Sequence, residues 1–140
     1  MKKLIDTNIV IDALTAREPW NESAEKIFLM TANIIVDMYI TASAATDIYY
    51  LIRKHLHNTE TAKQVMGKLY SLTGILEVKE EDCVDALASP ITDYKDAVVE
   101  QVARRSDMEC IVTRNQKDYE AGSTKIFLPE DFIRFMEEEE

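Results

Sequence analysis

Short apolar runs alternate along this chain with stretches in which apolar residues recur every three or four positions, the pattern of strands alternating with helices. The first run predicts a strand over Lys3–Asp6, followed by a helix from Asn8 to about Thr15. Pro19-Trp20-Asn21 opens a second helix through Glu22–Thr31, with Ala24, Ile27, Phe28 and Met30 on its apolar side. Ile34–Val36 either extends that helix or forms a strand, and Tyr39–Thr41 reads as a short strand. Helices follow from Ser43 to about Leu56 and from Thr59 to about Leu72, the latter ended by Gly74. The remaining pattern predicts a strand over Ile75–Val78, a short helix over Glu80–Ala88, a helix over Asp93–Arg105 and strands over Glu109–Thr113 and Lys125–Phe127. Pro129 suits the first turn of a last helix, where Glu130 and Asp131 meet the positive end of the dipole. This order predicts an α/β fold, a mostly parallel central sheet with helices on both faces.

Composition narrows the picture. With 140 residues and 46% hydrophobic content, residues 1–140 suffice for a single domain with its own core. Three glycines and three prolines leave little room for long loops, and no repeat or linker interrupts the pattern. No apolar run spans a bilayer, and Asp6, Asn8 and Asp12 interrupt any signal-peptide core, so the expected location is cytoplasmic, away from membranes. Cys83 and Cys110 lack a CxxC or metal spacing and read as reduced thiols. The net charge of −10 argues against simple electrostatic binding of nucleic acid but suits a carboxylate cluster neutralised by cations. Glu137–Glu140 supply four of those negatives and read as a frayed, solvated tail.

The candidate chemistry lies in acids at element ends. Asp6 closes the first strand, at the rim where open α/β sheets bind ligands, although a helix cap alone would also explain it. Asp47 falls on the border of the apolar stripe formed by Ala44, Ile48, Leu51, Ile52 and His55. Asp93 and Asp96 open one helix. Asp93 shares a polar face with Glu100 and Arg104 and makes the better cap, whereas Asp96 lies beside Val99 and Ala103 and is better placed to point inward. After Cys110-Ile111-Val112 come Thr113, Asn115 and Asp118, polar groups able to hold a metal-associated water or merely to form a turn. Each signal is weak alone. Together they are oxygen-only donors, which suit Mg²⁺ or Mn²⁺ rather than Zn²⁺.

At LIDTNIVIDAL (4–14), ITASAATDIYYLI (40–52), DYKDAVVEQVA (93–103) and IVTRNQKDY (111–119) the chain resembles the PIN domain family, of the kind found in VapC-type toxins. The first and last segments are the most specific. The resemblance implies a PIN-like three-layer sandwich and a Mg²⁺- or Mn²⁺-dependent endoribonuclease, with Asp6, Asp47 and Asp96 as acids around the metal. Asp47 stands where the family more often has glutamate, and Asn115 where it commonly has aspartate. Asn115 or the nearby Asp118 would complete the site. On this reading Thr7, Asn8 and Thr113 orient the carboxylates, and Arg53, Lys54, Arg114 and Lys117 contact the RNA backbone. The implied partners are an RNA substrate, an antitoxin protein and a second copy of the chain, with Trp20, Phe28, Tyr49 and Tyr50 as candidate contact residues. The two departures keep open an alternative, a catalytically weak or silent module that binds RNA or protein. A phosphoacceptor receiver domain fits poorly, because the Ile75–Val78 strand leads into Lys79-Glu80-Glu81-Asp82 rather than ending on a lone aspartate.

Overall fold

A computed structural model describes residues 2–139. In chain order the elements are β1 (Lys2–Ile5), α1 (Thr7–Leu14), α2 (Asn21–Ala32), β2 (Asp37–Thr41), α3 (Ala42–Leu56), α4 (Thr59–Leu72), β3 (Gly74–Leu76), α5 (Glu80–Ala86), α6 (Tyr94–Arg105), β4 (Cys110–Val112), α7 (Gln116–Tyr119), β5 (Ile126–Phe127) and α8 (Pro129–Glu138). The five strands lie in the order β3-β2-β1-β4-β5, and every pairing is parallel. β1 is central, in register with β2 (Lys3 beside Met38) and with β4 (Leu4 beside Ile111).

Alternation along these strands divides the core in two. Ile5, Met38, Ile40, Cys110 and Val112 face α1–α4 and α8, and Leu4 and Ile111 face α5 and α6. A parallel strand buried on both faces reads as an unbroken apolar run, which is why Leu4-Ile5 and Cys110-Ile111-Val112 were legible as strands. Burial pushes the Cys110 thiol up to about 12, so it stays protonated, and both cysteines are free.

Several boundaries differ from the sequence pattern. β1 ends at Ile5, and Asp6 caps α1 by accepting from the Thr7 backbone N–H at 2.8 Å. Ile34–Val36 belongs to neither helix nor strand: α2 stops at Ala32, and Ile34 takes a left-handed φ of 59°. Gly74 does not end α4. Thr73 caps that helix and Gly74 opens β3, where its missing side chain admits the ring of Tyr39. The polar stretch after β4 contains a short helix, α7, where turn residues alone had suggested a loop. At the acidic end, α8 continues through Glu138 and Glu137 pairs with Lys26 at 2.8 Å, while Glu140 lies outside the described residues. Among the described residues no helix is long and apolar enough to cross a membrane.

Candidate active site

The strand order reverses direction at β1: the chain first builds β2 and β3 on one side, then β4 and β5 on the other. In such sheets the crevice beyond the carboxyl ends of the two diverging strands is the natural ligand site. Here those are the ends of β1 and β4, and a cleft opens there, lined by Asp6, Thr7, Asn8, Lys95, Asp96, Asn115 and Asp118 together with Ile11, Arg17 and Leu51.

Asp6 is held from several sides. The Thr113 hydroxyl donates to its Oδ2 at 2.8 Å, and the Thr7 N–H donates to its Oδ1. Thr113 is itself fixed, accepting from the Asn8 amide at 3.3 Å and from the Asn115 N–H at 3.1 Å. Asn8 in turn accepts from the Arg114 N–H, so α1 and the loop after β4 are stitched together around the Asp6 carboxylate. Thr7, Asn8 and Thr113 thus form the hydrogen-bonded surround of the Asp6 carboxylate.

Asp96 comes from the first turn of α6, whose N-cap is Asp93, accepting from the Asp96 N–H at 3.0 Å. Behind the two acids stands Tyr119, a buried residue of α7 whose hydroxyl donates to Asp96 Oδ1 at 3.2 Å and interacts with Asp6 as well. Periodicity gave no hint of this phenol, because α7 is too short to show a face.

Electrostatics mark the pair. Burial pushes the Asp6 carboxyl above its ordinary range, against its hydrogen bonds and the nearby Lys95 charge. Burial also pushes Asp96 up, to about 6, and the charges of Asp6 and Asp93 add to that rise. A carboxylate pushed up by burial and by a neighbouring carboxylate is stabilised in its charged form by an added cation. Every donor in the cleft is a hard oxygen, which suits Mg²⁺ or Mn²⁺. The donors that fit are Asp6 and Asp96, with Asn115 and Asp118 along the same wall.

Asp47 is not among them. Its carboxylate, about 42% exposed, lies 2.6 Å from Lys95 Nζ rather than with the acid pair. Lys95 therefore stands between Asp47 and the cleft, and among the described residues no three His, Cys, Asp or Glu side chains are arranged to hold a metal ion. The helical wheel placed Asp47 correctly on the border of α3, but only the packing of α6 decides which charge it meets.

The cations expected at RNA also separate. Arg114 is committed to the protein: its Nε lies 2.6 Å from Oδ2 of the fully buried Asp12, a second bond reaches Oδ1, and its guanidinium stacks 4.0 Å from the Trp20 ring centroid. A buried carboxylate depends on such a partner, so Arg114 serves the interior of the protein, and Trp20 packs against it. Arg53 donates from Nε to Thr59 Oγ1 at 2.8 Å. Lys117 is exposed, and Lys54 lines a neighbouring cavity.

In fold the chain is similar to FitAcB from Neisseria gonorrhoeae (TM-score 0.68, 19% identity, 91% of this chain and 98% of that one). A toxin–antitoxin complex from Klebsiella pneumoniae aligns comparably (TM-score 0.67, 20% identity, 91% and 97%). The Mycobacterium tuberculosis VapC toxin that cleaves the sarcin-ricin loop aligns over 78% of this chain and 86% of its own (TM-score 0.60, 13% identity). No curated protein sequence matches the chain. A family model, the PIN domain, matches residues 2–117, from β1 through the polar cluster after β4, and the chain therefore belongs to the PIN domain family.

Proposed function

We propose that this protein is a Mg²⁺- or Mn²⁺-dependent endoribonuclease and the toxin of a toxin–antitoxin pair. The observation that carries the reading is the convergence of Asp6 and Asp96 at the switch point of a PIN-domain sheet, with both carboxyls pushed upward. The similarity in fold to toxins held in antitoxin complexes supports an antitoxin partner, and the sarcin-ricin-cleaving relative supports RNA as the substrate class.

When bound, the divalent cation neutralises charge at the scissile phosphate and acidifies the attacking water. The chain's residues do the rest. Asp6 and Asp96 would hold the cation. Thr7, Thr113 and Tyr119 fix the carboxylates through the hydrogen bonds described above, so that little reorganisation is needed during reaction. Asn115 and Asp118 line the same wall and position water. The attacking oxygen bonds to phosphorus as its proton passes to solvent, the phosphorus–oxygen bond to the leaving ribose breaks, and the departing ribose oxygen takes a proton from solvent to become a hydroxyl.

The test is Mn²⁺-dependent cleavage of a panel of RNAs by wild type and by Asp6→Asn/Asp96→Asn. Wild type is expected to cleave and the double variant to be inert; equal cleavage by both would sink the assignment. The engagement of Asp47 by Lys95 favours one other reading, a silent module that binds RNA or protein without cutting. Calorimetry discriminates: a silent module gives no specific Mn²⁺ heat, whereas the nuclease gives a heat abolished in the double variant.

A further inference from the structure

The acid cleft does not end at Asp96. Ile11, Arg17 and Leu51 line it and also line a second cavity, whose far wall holds Lys54, His55 and His57. Together the two form one trough between α1, with the loop after it, and the carboxyl-terminal half of α3. In a chain of net charge −10 this second cavity gathers Arg17, Lys54 and both of the chain's histidines, and no acid lines it.

A basic last turn has an ordinary explanation, since cations stabilise the negative end of a helix dipole. That explanation does not select a side. Arg53, in the same turn, is bonded to Thr59, whereas Lys54, His55 and the capping His57 line the trough. Arg17 is likewise available: Asp12, 3.9 Å away, already has its carboxylate satisfied by Arg114, and Arg17 is about half exposed.

We propose that this trough is the track of a single-stranded RNA segment leaving the acid cleft, with phosphates on Arg17 and Lys54 and bases against Ile11, Leu51 and the two imidazoles. The inference rests on the nuclease reading of the cleft and names where the substrate runs beyond it. Single strands are held by cations tracking the backbone and by flat or apolar side chains against unstacked bases. A duplex offers phosphates without free base faces and has no use for the apolar floor. An acidic peptide would use the cations but not the imidazole and aliphatic surfaces.

The experiment reads binding, not cleavage. A labelled twelve-nucleotide single-stranded RNA is titrated by fluorescence anisotropy, across salt, into Asp6→Asn/Asp96→Asn and into the same protein carrying Arg17→Ala/Lys54→Ala. The added pair is expected to weaken binding at least about tenfold and to flatten the salt slope by about 0.7 for each cation removed. Arg17→Lys/Lys54→Arg should restore both, which controls for misfolding, and a duplex of the same sequence should bind more weakly. Unchanged affinity and slope, equal binding of the duplex, no RNA binding by the parent, or displacement of the RNA by a polyglutamate peptide at equal charge would each overturn the track. Failure of the nuclease reading shows separately, as cleavage that survives loss of Asp6 and Asp96.

Discussion

Two acid clusters, one between α5 and α6 and one in the cleft beyond β1 and β4, behave in opposite ways. Between α5 and α6, Asp82 caps its own helix by accepting from the Lys79 N–H and receives a fork of hydrogen bonds from Arg105 at 2.8–3.1 Å. Burial raises the Asp82 carboxyl, but the Arg105 guanidinium and the Lys79 N–H outweigh that and leave it below the usual range. In the cleft, Asp6 and Asp96 accept hydrogen bonds only from neutral donors, and the Lys95 charge near Asp6 does not offset burial, so both are pushed up. Burial of a carboxylate therefore does not mark a site. What marks it is burial without a hydrogen-bonded cation to offset it, unlike the Asp82–Arg105 ion pair.

The comparison can be broken at several points. The largest expected effect is on chemistry: Asp6→Asn/Asp96→Asn should lower Mn²⁺-dependent RNA cleavage by about 10³-fold or more, the worth of several kcal/mol of charge stabilisation. Asp82→Asn, at the other cluster, should leave the cleavage rate within about twofold. Stability should reverse the ranking. Arg105→Met strands a buried carboxylate and is expected to cost about 2 kcal/mol, read from the urea midpoint.

The pH dependence of stability in chelator-treated protein should separate the clusters by sign. Asp82, lowered on folding, contributes stability that is present above its unfolded pKa near 3.8 and lost as pH falls through its folded value. Asp96, raised on folding to about 6, contributes stability that is full below 3.8 and lost as pH rises toward 6. Asp96→Asn should remove its share of the decline between about pH 4 and 6, and Asp82→Asn should flatten only the acid limb. Identical urea-midpoint profiles for the two variants would contradict the contrast.

Smaller effects follow at the supporting residues. Tyr119→Phe removes a buried hydroxyl and should cost about 1 kcal/mol, while raising the pH at which the Asp96 contribution is lost. The smallest stability change belongs to Lys95→Met. Its pair with Asp47 is half exposed, so the loss should stay below about 1 kcal/mol. Calorimetry should nevertheless find tighter Mn²⁺ binding, because a fixed positive charge has left the rim of the cleft.

Local chemistry made much of the fold legible. Leu4-Ile5 and Cys110-Ile111-Val112 are apolar on both faces, so they read as central parallel strands without knowledge of their neighbours. Asp93 and Pro129 are terminus signals that act within one turn, and both stand where expected. Ile34–Val36 and Gly74 differ from the local pattern because what decides them, the end of α2 and the ring of Tyr39, lies outside any local window.

By itself, then, the chain determined the order of its strands and of every helix but α7, the parallel sheet and the placement of Asp6, Asp96, Asn115 and Asp118 at element ends, because those properties follow from short-range periodicity and capping. Only the tertiary structure decided which charges meet. It gave Arg114 to Asp12, Lys95 to Asp47 and the Tyr119 hydroxyl to the acid pair, and it turned Lys54 and both histidines toward the cleft's continuation. Side-chain pairing across elements depends on how helices pack over the sheet, and Coulomb energies at a few ångströms depend on that packing rather than on separation along the chain.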